Sequence, residues 1–283
     1  IIERNGQMSK VSVIMPVFNM AQQADVLRAA VASVINQTYR DWELLVCDDG
    51  SADGTLRILR ELARTDARIR VLYSFKNRKA GWARNACIRA AGGRYAAVMD
   101  ADDLAEEDRL AVQTDFLDRH PEYAFVGSSA WMMDSRGVWG MRRVEEKPDA
   151  EDFLKTLPFV HPSLMLRMEA VRAVHGYGQT PGVYRVEDYD FLMRLYAHGY
   201  RGYNIQKPLL RYREDVRAYQ RRGYRHRVTE CRVRYRGFRA LGILRGNLRY
   251  VGKPLAAGLV PAFVMRTLRT KRFAVQGADY KKG

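Results

Sequence analysis

Short apolar runs alternate with segments of helical periodicity in the first 100 residues, and this alternation most narrows the folds open to the chain. Each run is five or six residues long, and between the runs apolar residues recur at helical spacing. The predicted strands are residues 11–15, 42–47, 69–73 and 95–99. Such alternation is typical of a parallel sheet covered by helices. We therefore predict an α/β fold with a mostly parallel, Rossmann-like sheet flanked by helices.

Two of the predicted strands end in adjacent acidic residues. Asp48 and Asp49 follow the second strand, and Asp100, Asp102 and Asp103 follow the fourth. Right-handed crossovers bring the carboxyl ends of parallel strands to one sheet edge, where ligands of open α/β sheets bind. Clustered carboxylates repel one another unless a cation pairs with them, and their hard oxygens suit Mg²⁺ or Mn²⁺. The sequence therefore predicts that this edge meets a metal or several hydroxyl and NH donors.

The acidic group after the fourth strand has a second interpretation. Its three carboxylates could form a solvated turn before a helix that begins near Ala105. The ligand site is favoured because two acidic strand ends fall on the same predicted sheet edge.

The second half of the chain predicts further elements around the sheet. One segment, 142–156, is charged and predicts a surface loop or a short helix. A later helix opens among the acids Glu187, Asp188 and Asp190, which the helix dipole favours in a first turn. The remaining predictions are strands at 123–127, 159–166 and 206–213, a hairpin turn at 134–137 and a helix at 189–198.

The net positive charge is confined to the last third of the chain. The whole sequence carries a formal net charge of +16, yet residues 201–283 hold 22 Lys or Arg and 4 Asp or Glu. The first 200 residues therefore carry a net charge of −2. The basic character belongs to the C-terminal region, not to the predicted sheet.

The sequence also bounds the cellular compartment. Three scattered cysteines, Cys47, Cys87 and Cys231, are too few for a disulfide framework or a zinc site, which fits a reducing cytoplasm. Nothing near the N-terminus has the pattern of a signal peptide. The longest apolar stretch that could be considered for a membrane-spanning helix, residues 254–265, is well short of the roughly 20 residues that such a helix needs. We expect a cytoplasmic protein.

From residue 214 onward arginines are interleaved with Tyr, Phe, Leu and Val. This pattern predicts basic amphipathic helices, broken around Gly252 to Pro254 and again near Pro261. Such helices suit an anionic membrane surface. We therefore divide the chain into a domain at 8–213 and a basic helical extension at 214–283, and we expect peripheral attachment to the inner face of the cell membrane.

Five short motifs together resemble family 2 glycosyltransferases of the GT-A fold. The resemblance covers roughly residues 11–213, and each motif alone is weak. In chain order the motifs read Val-Ile-Met-Pro-Val-Phe-Asn at 13–19, Asp-Asp-Gly-Ser at 48–51, Gly-Trp-Ala-Arg-Asn at 81–85 ahead of Asp-Ala-Asp-Asp at 100–103, His-Pro-Ser at 161–163 and Glu-Asp-Tyr-Asp at 187–190.

The resemblance implies a metal-dependent, inverting enzyme of the hexosyltransferase type. It would move a sugar from a nucleotide diphosphate donor, with a UDP-sugar expected, to a glycan or lipid-linked acceptor of cell-surface polysaccharide synthesis. On the donor side it implies a loop against the nucleobase, a carboxylate on the base or ribose, and groups near the nucleotide and ribose. The corresponding residues are Pro16, Val17, Phe18 and Asn19 for the loop, Asp48 or Asp49 for the carboxylate, and Arg84, Asp100 and Ala101 for the last groups.

The resemblance also implies the metal site and the catalytic base. Asp102 would bind Mn²⁺ or Mg²⁺ on the diphosphate, and Asp103 would be a second contact or only the start of the next helix. Asp188 would deprotonate the acceptor hydroxyl, with Glu187 or Asp190 as alternatives. His161 is either a satisfied histidine or a metal or diphosphate contact. The family often has a basic, hydroxyl-containing loop after the last strand, whereas this chain offers only Arg211 or Arg213 for phosphate.

Two other functions fit parts of the sequence. A sugar nucleotidyltransferase also brings a nucleotide and Mg²⁺ to an α/β edge, but it usually needs a glycine-rich loop after the first strand, where this chain has Pro-Val-Phe-Asn. A nucleic-acid-binding protein would use the Arg-rich extension, but it would leave the acidic edge without a purpose. We expect no nucleic-acid partner.

Overall fold

The computed structural model describes residues 10–214 and 224–258, together with Thr267 and Phe273. Its first half is the predicted alternation. Four parallel strands lie in the order β3, β2, β1, β4, and the connecting helices cover both faces. The bounds are β1 Val11–Val17, α1 Ala24–Ile35, β2 Trp42–Asp48, α2 Thr55–Thr65, β3 Ile69–Tyr73, α3 Ala80–Ala90 and β4 Tyr95–Val98.

These strands are mostly apolar because both faces of the sheet are buried. Successive side chains point to opposite faces. Ile14, Leu45 and Val98 pack on the face that α3 covers, whereas Val13 and Leu44 pack on the face that α1 and α2 cover. The two apolar clusters fix the strand register, and that register aligns the carboxyl ends of β1, β2 and β4.

The second half extends the same sheet with mixed strand directions. β8 is antiparallel to both β4 and β6, and β6 is parallel to β9. In the described residues the sheet has nine strands, in the order β3-β2-β1-β4-β8-β6-β9-β5, with β7 paired to β6. The bounds are β5 Leu104–Ala105, α4 Arg109–Arg119, β6 Phe125–Asp134, β7 Gly137–Arg142, β8 Met165–Arg167, α5 Met168–Ala173, α6 Glu187–Ala197 and β9 Gly202–Arg213.

Two predictions in this half are wrong in detail. Residues 161–163 form a 3-10 turn, and only Met165–Arg167 is a strand. Pro162 has no N–H for a ladder, and the Ser163 hydroxyl donates to the Val160 carbonyl at 2.7 Å, which closes the turn. The helix expected near Ala105 begins at Arg109 instead, because Ala105 pairs with Leu210 of β9.

The C-terminal helices are α7, Tyr224–Ala240, and α8, Leu248–Gly258. The predicted break around Gly252 to Pro254 is wrong, because α8 runs through Pro254. A proline at this position leaves the carbonyl of Tyr250 without its helical donor, and Arg234 of α7 donates to that carbonyl at 3.3 Å. The break predicted near Pro261 lies outside the described residues.

Helix α7 packs on α6 and places Val233 and Phe238 in the core. Arg234, which is buried, also donates to the carbonyl of Leu154 at 3.0 Å. The first helix of the extension is therefore part of the same packed body as the sheet. In the described part of the chain no helix is long and apolar enough to cross a membrane.

Candidate active site

The predicted site residues gather where β1, β2 and β4 end. β1 lies between β2 and β4, and the backbone N–H groups of Asp49 and Met99 extend its ladders by donating to Val17 and Ile14 carbonyls. The residues that follow β2 and β4 therefore leave the sheet on either side of Val17. The prediction that both acidic strand ends share one edge is confirmed.

The two carboxylates after β2 are held by their own loop. Asp48 accepts hydrogen bonds from the N–H and the hydroxyl of Ser51 on its Oδ1. Asp49 uses both oxygens, accepting from the backbone N–H groups of Arg78 at 2.8 Å and Lys79 at 2.7 Å. Burial raises the pKa of Asp49 above its usual range, although these two N–H donors oppose the shift. Asp49 therefore serves to fasten the loop before α3.

The loop after β1 faces the loop after β2. Asn19 has a positive φ of 50° and joins the loops twice, since its N–H donates to Ser51 Oγ and its Oδ1 accepts from the Ala52 N–H. Phe18 beside it is 44% exposed, and Pro16 is half-buried. A fixed loop with an accessible aromatic face is suited to stacking on a flat ring.

Arg84 of α3 joins the end of β4 to the start of α6. Its guanidinium lies 2.8 Å from Asp100 Oδ1 and 3.5 Å from Glu187 Oε1, and it lies over the ring of Tyr177. Burial acts to raise the pKa of Asp100, but the charge and the hydrogen bond of Arg84, together with other nearby positive groups such as Arg109, hold that pKa below its usual range. One buried cation thus ties the two halves of the site together.

The segment before α6 is fastened to α3 through Asn85. Its amide donates to the Tyr177 carbonyl at 2.7 Å and accepts from the Tyr177 N–H at 2.8 Å. Gly81 permits this contact, since a Cβ there would lie 2.7 Å from the carbonyl oxygen of Gly178. The Gly-Trp-Ala-Arg-Asn motif therefore positions the far half of the site as well as Arg84.

His161 and Asp188 lie on the same side of this cluster. His161 Nε2 is 2.9 Å from the Tyr177 hydroxyl, and burial together with the Arg84 charge lowers the pKa of His161 to about 4. His161 is therefore neutral near pH 7. Burial raises the pKa of Asp188 above its usual range, and the Glu187 charge acts in the same direction.

The neighbouring acids of α6 have other partners. Asp190 pairs with Arg194 at 2.8 Å, and Glu187 faces Arg84. Glu187 Oε2 is buried, with no hydrogen-bond partner among the described residues. Of the three candidate bases, Asp188 alone forms no ion pair among the described residues, and its Oδ1 accepts a local hydrogen bond from the Tyr189 N–H.

The acidic turn after β4 is held from β9. Arg213 donates its N–H to Asp103 Oδ1 at 2.7 Å and its Nε–H to the Asp102 carbonyl oxygen at 3.0 Å. Asp103 is 1% exposed, and its Oδ2 has no partner within the described chain. Burial and the charges of Asp102 and Asp100 raise the pKa of Asp103 well above its usual range. Arg213, which the sequence offers as a phosphate contact, thus forms hydrogen bonds with the acidic turn itself.

Arg109 and Tyr177 were not predicted as site residues. Arg109 is 1% exposed below the acidic turn and donates to the Val98 carbonyl at 2.8 Å. Burial lowers its pKa to about 10, so it stays charged and offsets Asp103 and Asp100. The one feature of the sequence that could have pointed to Arg109 is its position shortly after the acidic residues that follow β4. Tyr177 has no signal, because its partners lie far away along the chain.

Asp102 and Asp103 form a donor set that fits a hard divalent cation. Carboxylate oxygens are the ligands that Mg²⁺ and Mn²⁺ prefer, and Asp103 Oδ2 is a buried acceptor with no hydrogen-bond partner among the described residues. The residues that the structure describes contain no group of three or more His, Cys, Asp or Glu side chains that could hold an ion. A cation here would therefore share its coordination with oxygens from substrate and water.

The geometry combines a proton acceptor with a cluster of carboxylates and one buried guanidinium. Asp188 is a carboxylate of raised pKa beside a neutral histidine, and Asp102 and Asp103 lie across Asp100 and Arg84 from it. This arrangement can remove a proton on one side and bind an anionic leaving group through a cation on the other.

Sequence comparisons give the family. The model of Glycosyl transferase family 2 matches residues 12–174, and that of Glycosyl transferase family group 2 matches residues 95–270. EpsE of Bacillus subtilis (strain 168), named as a glycosyltransferase, is 36% identical over 93% of this chain and 94% of its own length. TuaG of the same organism, named as a teichuronic acid biosynthesis glycosyltransferase, is 31% identical over 72% of this chain and 78% of its own.

Solved structures show the same fold. S. aureus TarS 1–349 in complex with UDP-GlcNAc superposes with a TM-score of 0.64 at 17% identity, covering 87% of this chain and 88% of that 1–349 chain. The mannosyltransferase PcManGT of Pyrobaculum calidifontis, in complex with GDP-Man and Mn²⁺, gives a TM-score of 0.58 at 21% identity over 94% of this chain and 81% of its own.

Proposed function

The chain belongs to glycosyl transferase family 2 and is a glycosyltransferase, and from this premise we propose that it transfers a sugar, with inversion, from a nucleotide diphosphate donor to a hydroxyl of a lipid-linked or polysaccharide acceptor. The observation that carries the proposal is the Arg84 cluster, which connects the acidic end of β4 with the acid-bearing start of α6. Family membership decides against the sugar nucleotidyltransferase and the nucleic-acid-binding alternatives.

The donor would bind at the loops after β1 and β2. Phe18 offers an exposed ring for the nucleobase, and Asp48 is the better donor contact because Asp49 uses both oxygens on its own loop. Asp100 would lie near the ribose beside Ala101. The nucleotide-sugar complexes of the structural relatives TarS and PcManGT support a donor of this class, with a UDP-sugar expected.

Asp102 and Asp103 would hold the Mn²⁺ or Mg²⁺ ion, with Asp102 as the principal ligand because it is half-buried whereas Asp103 is 1% exposed. When bound, such an ion neutralises charge on the leaving diphosphate as a Lewis acid. Arg213 would keep the turn in place through the Asp103 carboxylate and the Asp102 carbonyl.

Asp188 would accept the proton of the acceptor hydroxyl. As that oxygen forms its bond to the anomeric carbon, the bond from that carbon to the diphosphate oxygen breaks, and its electron pair leaves with the diphosphate. A raised pKa suits this base, since general-base catalysis is most effective when the pKa approaches the working pH. Arg84 and Tyr177 would position the base by fixing Glu187 and the segment before α6.

The extension from residue 214 would attach the enzyme to the cytoplasmic face of an anionic membrane. Arg232, Arg236 and Arg239 are exposed on α7, and Tyr235 is 45% exposed among them. Deleting residues 214–283 would also remove Val233 and Phe238 from the core. Charge reversal at Arg232 and Arg239 in the full chain is therefore the test, and unchanged co-sedimentation with phosphatidylglycerol vesicles contradicts this part.

A donor screen tests the reaction. Purified protein is incubated with UDP-sugars and other nucleotide diphosphate sugars in the presence of Mn²⁺, and release of nucleotide diphosphate is measured. We expect release to stop with a chelator, and we expect Asp188→Asn to lower kcat by about 10² to 10⁴ while leaving donor binding intact. Full transfer by Asp188→Asn contradicts the base assignment, and full transfer in chelator contradicts the metal.

A further inference from the structure

The loop after β3 carries the most exposed large hydrophobic side chain of the described residues. Phe75 is 94% exposed, whereas Tyr224 and Leu248 follow at 63%. Tyr73, 48% exposed, meets Phe75 edge to face with ring centroids 5.4 Å apart. We name residues 73–79 the aromatic loop. Its two rings leave apolar area in water that burial would remove favourably.

Cations surround these rings. Lys76, Arg78 and Lys79 are exposed on the loop itself, and Arg60 of α2 lies over the Tyr73 ring at 5.8 Å. Residues 73–79 contain no Asp or Glu. The loop therefore presents an aromatic tip in a positively charged setting, although the first 200 residues carry a net negative charge.

The loop is held in one conformation from below. The Asp49 carboxylate accepts from the Arg78 and Lys79 N–H groups, and the Ser74 hydroxyl donates to the Lys76 carbonyl at 2.7 Å. Gly50, at φ +74°, lets the backbone pack so closely that a Cβ there would lie 2.5 Å from the Lys76 carbonyl carbon. A preformed loop loses little conformational entropy on binding a partner.

We propose that the aromatic loop docks on an anionic lipid bilayer, with Phe75 inserted among the headgroups and Lys76, Arg78 and Lys79 against lipid phosphates. Aromatic rings beside cations are the composition of interfacial membrane contacts. The charge around Phe75 selects an anionic lipid surface over an uncharged apolar partner. This contact is separate from the one proposed for α7, and it turns the edge that carries Asp48 toward the bilayer.

Co-sedimentation of the full chain with vesicles of phosphatidylcholine and phosphatidylglycerol tests the proposal. We expect Phe75→Ser to lower the partition coefficient about tenfold, with an unchanged thermal midpoint because the ring is exposed. We expect the pair Lys76→Glu and Arg78→Glu to weaken binding to a similar degree. The matched control is Arg94→Glu with Arg119→Glu, whose side chains are 63% and 74% exposed near the opposite sheet edge.

A second readout locates the contact. A Phe75→Trp variant should show fluorescence that brominated phosphatidylglycerol quenches, beyond the quenching of the wild-type tryptophans. Equal partitioning of wild type and Phe75→Ser, absence of wild-type binding, or an equal loss in the Arg94 and Arg119 control overturns the proposal. Vesicle binding requires no transfer activity, so failure of the proposed reaction is distinguished by the donor screen.

Discussion

The strand ends after β2 and β4 have the same sequence character, adjacent carboxylates behind a buried apolar run, yet the fold uses them differently. After β2, Asp49 is satisfied by two backbone N–H groups and Asp48 by Ser51. After β4, Asp100 depends on the side chain of Arg84, and Asp103 Oδ2 has no described partner. A carboxylate at a strand end is thus available to a ligand only where the loop does not use both of its oxygens, which excludes Asp49 but not Asp48.

The largest expected difference between the two ends is in activity. We expect Asp102→Asn to lower kcat about 10³-fold, because the turn after β4 would lose its principal charge for the metal and diphosphate. Asp49→Asn, the matched change after β2, should lower kcat far less. Initial rates at saturating donor and Mn²⁺ measure both. Equal losses would mean that the two strand ends share the chemistry.

Arg84 tests whether the β4 end depends on side-chain pairing. Arg84→Met leaves Asp100 and Glu187 without their shared cation, and we expect a loss of about 3 kcal/mol in the free energy of unfolding. Arg28→Met is the control, since Arg28 pairs with Glu61 at 3.2 Å with both side chains about half exposed, and such a surface pair contributes about 1 kcal/mol or less. Urea unfolding measures both variants, and similar losses would contradict the tethering role.

The β2 end should respond through its backbone. Asp49→Ala leaves the N–H groups of Arg78 and Lys79 without their acceptor, so we expect a cost of about 1 to 3 kcal/mol in unfolding free energy. Faster amide exchange at those two residues would locate the loss. An Asp49→Ala protein with wild-type stability and unchanged exchange would remove the structural assignment of this carboxylate.

The smallest effect is a difference in pH dependence. The folded pKa of His161 is about 4, below its unfolded value of about 6.5. The neutral His161 therefore contributes to the free energy of unfolding above about pH 6.5, and this contribution is lost as pH falls toward 4. The expected loss is about 1 to 2 kcal/mol at pH 5. His161→Gln should flatten this loss. Asp49 has the opposite sign, because its folded pKa is raised and its contribution is lost as pH rises through that pKa. Thermal midpoints from pH 5 to 7 measure the His161 effect, and an unchanged slope in His161→Gln contradicts it.

The sequence predicted the parts of the fold that local pattern controls. Strands β1 to β4 are mostly apolar because helices cover both sheet faces, and the acidic ends of β2 and β4 mark one edge. The hairpin of β6 and β7 followed from its turn residues. The 3-10 turn at 161–163 was missed because its apolar flanks resemble a strand, while Pro162 and the Ser163 hydroxyl decide the backbone locally.

The unpredicted part of the site depends on contacts between distant residues. Asn85 and Tyr177 are 92 positions apart, and the side-chain amide of Asn85 forms hydrogen bonds with both the N–H and the carbonyl of Tyr177. Arg109 is a site residue only because it is buried against the carbonyl of Val98. The continuous α8 likewise depends on Arg234, which no periodicity in residues 248–258 reveals. Spacing along the chain carries no information about such partners.

The packing of α7 against the catalytic body would limit how far the active site can move from a membrane bound to α7. Val233 and Phe238 lie in the core, and Arg234 donates hydrogen bonds to the carbonyls of Leu154 and Tyr250. The helix is therefore packed against the catalytic body and is not a flexible tether. On the proposed function, a membrane bound to α7 would hold Asp188 at a constant height above the lipid. Such an enzyme would act on acceptors whose reactive hydroxyl lies at that height, so its position would help to select the length of the glycan that it extends.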